Sequence, residues 1–129
     1  MELAANKELY QVYASSYFDK IMPELSAYLD KGIIEACNFF ELDHIKKLKV
    51  YLYDNAEEYQ KLFKTLYPLN GIAGCFGYED VKIYADLNKI DKHRLFTCIL
   101  HELTHVIYRN YIQEKGINNR IVWFDEGLA

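Results

Sequence analysis

No CxxC pair occurs in this 129-residue chain, and its three cysteines, Cys37, Cys75 and Cys98, are widely spaced. An odd, scattered set argues against a disulfide framework and for reduced, mostly buried thiols in a cytoplasmic protein. No apolar run approaches the length of a membrane span, so no membrane partner is expected. The amino-terminal MELAANKELY lacks the basic start and apolar segment of a signal peptide. Basic clusters are missing too, and with a net charge of -4 nothing is arranged to neutralise phosphates, which sets nucleic acid aside. What the chain does have is apolar surface: 51% hydrophobic residues against 26% charged, enough to form a core and exclude disorder. Its 12 tyrosines fit a core rich in rings with polar tips.

Residues 2–20 carry Leu3, Leu9, Tyr10, Val12, Tyr13, Tyr17 and Phe18, with Ile21 following, an approximate 3.6 repeat that predicts a helix. Pro23 suits the first turn of a second helix, on which Leu25, Leu29, Ile33, Ala36 and Cys37 recur, with Gly32 as an internal weak point. Residues 1–42 are therefore expected to be a helical amino-terminal part, covering one face of a sheet formed within 43–129. Leu48, Val50 and Leu52 alternate with Lys49, Tyr51 and Tyr53, the period of a strand. Asp54-Asn55 signals a cap, and Tyr59, Leu62, Phe63 and Leu66 a short helix. Pro68, Asn70-Gly71, Gly74 and Gly77 break that pattern. Two short strands with a turn near Glu79-Asp80 fit residues 72–85. The predicted class is α+β, one domain spanning 1–129.

Asp91 is placed to cap a helix running from about Lys92 to Arg109. Phe96, Ile99, Leu100, Leu103, Val106 and Ile107 fill one side at 100° per residue. His101 and His105 fall on the other, with Arg94, Cys98, Tyr108 and Arg109 nearby. The stretch His101-Glu102-Leu103-Thr104-His105 is HExxH, which background frequencies give in roughly one in a few hundred chains of this size. Histidines at i and i+4 share a helix face and can turn both imidazoles towards one zinc ion. Glu102, rotated by about 100°, is poorly placed as a ligand but well placed to touch a water on that ion. Twenty residues then separate His105 from Glu126, which stands in Trp123-Phe124-Asp125-Glu126-Gly127-Leu128-Ala129 on a following helix and could supply a third ligand. Cys98 lies about 60° from His101, so it either approaches the ion or packs, and packing is the expectation. His44 and His93 read as surface residues.

HELTH followed by WFDEGLA resembles the gluzincin branch of the zincin metallopeptidases, in which HExxH is followed after about twenty residues by a glutamate often set in W-x-x-E-G-x-A. The resemblance covers the last third of the chain best. It implies a zincin-like fold: a small mixed sheet with an antiparallel edge strand, packed on helices, with HExxH on a central helix. It implies Zn2+ as cofactor, His101, His105 and Glu126 as its ligands and Glu102 as general base for hydrolysis of a peptide or protein substrate. The edge strand that binds substrate in zincins would here be Gly74–Tyr78, and a glycine-rich hairpin without a ligand is the other reading of that segment. No G-x-M-E-N segment is present, which favours an endopeptidase-like domain over a zinc aminopeptidase. Glu126 stands three residues before the last, so the chain is expected to be a fragment truncated at its carboxyl end. Two functions follow: a zinc-dependent peptidase, or an inactive zincin-like scaffold acting as a metal-binding or protein-interaction module.

Overall fold

The computed structural model describes residues 1–42, 45–63 and 69–115. The chain order is β1 (Glu2–Asn6), β2 (Tyr10–Ala14), a 3-10 turn (Ser16–Ile21), α1 (Met22–Phe39), β3 (Leu48–Tyr53), α2 (Ala56–Phe63), β4 (Ile72–Phe76), β5 (Asp80–Ala85) and α3 (Lys92–Lys115). The five strands form one mixed sheet in the order β1-β2-β3-β5-β4. β2, β3 and β5 run parallel, and β1 and β4 close the two edges antiparallel. Parallel neighbours require crossovers. α1 makes the one between β2 and β3, while α2 followed by β4 makes the one between β3 and β5.

The helix expected over 2–20 is a correction. Residues 2–14 form a β-hairpin, closed where the Lys7 N–H meets the Tyr10 carbonyl at 2.9 Å, and helical structure begins only at Ser16. Tyr10, Val12 and Ala14 are buried and alternate with half-buried Gln11 and Tyr13, a strand period. Tyr13 made the stretch look helical because it is also apolar. Its ring stacks on Tyr51 at 5.1 Å, and its neighbours Tyr10 and Val12 belong to the main core.

That core lies between one sheet face and the layer of α1 and α3. Leu48, Val50 and Leu52 from β3, Val81, Ile83 and Ala85 from β5, and Leu25, Leu29 and Ile33 from α1 are all buried there. Burying the valine, leucine and isoleucine side chains stabilises by about 1.5–3 kcal/mol each before the ordering cost. Gly32, a weak helix former, stands where α1 crosses α3. A Cβ there would come within 2.7 Å of Leu100 Cδ2, so its absence sets how closely the two helices approach. On the opposite sheet face Tyr53 and Tyr84 meet Tyr59 of α2, at 5.6 and 6.1 Å between ring centres. Among the described residues no helix is long and apolar enough to cross a membrane.

Several buried phenols and thiols resist ionisation. Burial, then a hydrogen bond to the Asp30 carboxylate at 2.8 Å, pushes the Tyr10 hydroxyl well above its ordinary 10.0. Burial raises the Cys37 thiol above 9.0. An acid whose folded pKa is raised releases its proton first in the unfolded chain, so the unfolded state binds fewer protons and stability falls as pH rises. The melting temperature should therefore hold up to about pH 9 and drop progressively above it. A scan from pH 7 to 11 checks this, and a flat profile through pH 10 to 11 would show that these groups are not protected in the fold.

Candidate metal and peptide site

α3 begins where the Asp91 carboxylate accepts the Arg94 N–H at 2.8 Å, the cap read from the sequence. Leu95, Phe96, Ile99, Leu103, Val106 and Ile107 are buried and anchor the helix. One further stripe carries Arg94, Cys98, His101, Glu102, His105 and Arg109 at three- and four-residue steps, and β4 lies along it. Ile72, Gly74 and Phe76 of β4 share one strand face. Ile72 lines a cleft of about 440 Å³ with Arg94, Thr97, Cys98 and His101. At Gly74 a Cβ would stand 3.1 Å from Cys98 Sγ and 3.2 Å from Glu102 Cγ, so glycine is what lets the strand backbone approach the helix here. Phe76 stacks on His105 with ring centres 4.5 Å apart and planes 10° from parallel.

The two histidine rings face each other edge to face, their centres 5.0 Å apart. Two imidazoles on one tetrahedral zinc, with Zn–N of about 2.0–2.1 Å, have ring centres about 5 Å apart, so the pair fits the spacing the ion requires. His101 is half-buried beside the cleft, and His105 is only 2% exposed. The helical wheel set both on a side turned away from the core. That is corrected for His105, which β4 covers, and for Tyr108, which is buried against Phe40 at 5.5 Å. A wheel registers one packed face, whereas α3 is packed by α1 on one flank and by the sheet edge on another. Glu126 lies outside the described residues, as does His44. Among the described residues no group of three or more His, Cys, Asp or Glu is placed to hold a metal. His93 is exposed, as expected.

Glu102 sits half-buried among groups that feel its charge. Burial pushes the Cys98 thiol up to about 11, the Glu102 carboxylate adds to that, and Arg94 opposes it. Tyr59 of α2, read in the sequence only as part of a short helix, feels the same charge from the other sheet face. Its hydroxyl donates to the Lys82 carbonyl at 2.9 Å. Its pKa is raised first by burial, then by Cys75, Cys98 and Glu102. Burial likewise raises the Cys75 thiol, with Tyr59 and Lys82 acting against it.

Sequence comparison adds one relative. A collagenase, ColT of Clostridium tetani (strain Massachusetts / E88), is 31% identical over 94 residues, covering 64% of this chain and 9% of its own length. The chain is similar to part of a collagenase. It spans about a tenth of that relative, no family model matches it, and no solved structure matches it.

The contact the sequence hid best is the stack of Phe76 on His105, continued by Arg109. Its guanidinium lies 4.9 Å from the Phe76 ring centre and 5.6 Å from that of Tyr78. Strand alternation from Gly74 puts Phe76 on the helix side, but only the register of β4 along α3 pairs it with His105.

Proposed function

We propose that this chain carries the catalytic centre of a zinc-dependent peptidase, arranged as in zincins. The observation that carries the reading is the paired packing of His101 and His105 on α3, with Glu102 beside them under the sheet edge formed by β4. Similarity to part of a collagenase supports it. His101, His105 and Glu126 would hold the ion. When bound, zinc supplies Lewis acidity, lowering the pKa of a water towards about 7 and polarising a carbonyl. Glu102 accepts the proton of the attacking water and hands it to the departing amine. β4 is antiparallel and terminal in the sheet, so an extended peptide can add to its edge through main-chain hydrogen bonds.

The test is metal analysis of chain purified without chelator, paired with cleavage of casein and of denatured and triple-helical collagen peptides. The expected result is near one zinc per chain, with cleavage lost to chelator and restored by zinc. A folded chain that binds no zinc on titration would sink the reading.

A further inference from the structure

The stack on His105 does more than fill space. An imidazole reaches a metal only with its ring plane turned so that one nitrogen points along the bond, and rotation about the Cβ–ring bond destroys that aim. Phe76 lies flat against His105, 4.5 Å between centres and 10° between planes. The phenylalanine is not loose, since Arg109, one turn beyond His105 on α3, packs its guanidinium over the Phe76 ring and reaches Tyr78 as well. Rotating the His105 ring would drive its edge into the Phe76 face, while the surrounding burial leaves no room to slide away.

We propose that Phe76 is a positioning residue for the metal centre: it sets the plane of the His105 imidazole from the edge strand and thereby links the substrate-binding edge to a metal ligand. The inference rests on the zinc reading above. It predicts that a residue with no first contact to the ion controls metal affinity, as groups that orient ligands generally do, by about 10–100-fold.

The experiment measures zinc affinity by chelator competition in the full chain for the parent, Phe76→Leu and Phe76→Tyr, with folding followed by circular dichroism. Leucine keeps apolar bulk but offers no flat face, and affinity should fall about 10–100-fold. Tyrosine keeps the face and should restore affinity to within a few-fold of the parent. Cobalt substitution gives a second readout: the visible band should shift in Phe76→Leu and match the parent in Phe76→Tyr. If Phe76→Leu fails to fold, Arg109→Gln, which loosens Phe76 without removing it, should weaken zinc several-fold. Parent-like affinity in a folded Phe76→Leu, or in Arg109→Gln when it stands in, overturns the inference and leaves the zinc reading intact. A parent that binds no zinc overturns both.

Discussion

Glu102→Gln should leave zinc content unchanged and lower peptide hydrolysis by at least about 10²–10⁴-fold, the usual contribution of a positioned general base. Glutamine has the same shape as glutamate and keeps a carbonyl oxygen, so packing against Gly74 and Cys98 is preserved. What it loses is the ability to take a proton. The substitution also removes a negative charge that helps hold the Cys98 thiol protonated. Cys98 should therefore ionise at a lower pH in the variant, and its alkylation rate against pH should move in that direction. This second measurement keeps the result interpretable. Lost hydrolysis with an unmoved Cys98 profile would place the glutamate away from that thiol, contrary to the structure. A variant that binds zinc and cleaves like the parent would remove Glu102 from the chemistry.

How much of this could be read from the residues alone depended on whether a pattern belonged to one packed face or to two. β3 was legible because its second face opens with Lys49 ahead of Tyr51 and Tyr53, so the alternation survives. β2 was not, because Tyr13 and Val12 are adjacent, apolar and both packed, one against Tyr51 and the other in the core. Two apolar faces with one glutamine between them imitate a helical stripe. The caps at Asn55 and Asp91 were legible because they are local: each accepts an N–H three residues on, from Glu58 and Arg94. α3 was legible as a helix, and its histidine pair followed from spacing alone. The burial of His105, the closeness of Gly74 to Glu102 and the arrival of Tyr59 were not, since each depends on how separate elements lie against one another. Periodicity holds no information about that. Gly32 shows the same limit. In the sequence it is a flaw in a helix worth about 1 kcal/mol, and in the fold it is the contact with Leu100 that sets a helix crossing.

The two histidines should also part company in stability, although both are proposed ligands. His105→Ala deletes a ring that is 2% exposed and stacked on Phe76, leaving a cavity between β4 and α3. Loss of a buried aromatic costs about 3–5 kcal/mol, and the imidazole, smaller and polar, should lie at or below the low end of that range. His101→Ala removes a half-buried ring at the mouth of a cleft, where water can fill the space, and should cost about 1 kcal/mol or less. Zinc binding should be lost in both. Metal that binds only the folded chain stabilises it in proportion to the logarithm of its concentration over Kd, so chelator should lower the melting temperature of the parent and leave both variants unmoved. Thermal melts with and without chelator therefore separate two roles that metal analysis alone merges. The chelator shift reports the ligand, and the metal-free difference between His105→Ala and His101→Ala reports the packing of β4 on α3. Equal metal-free melting temperatures would mean that His105 is not enclosed by the edge strand, and with it the argument for Phe76 would go.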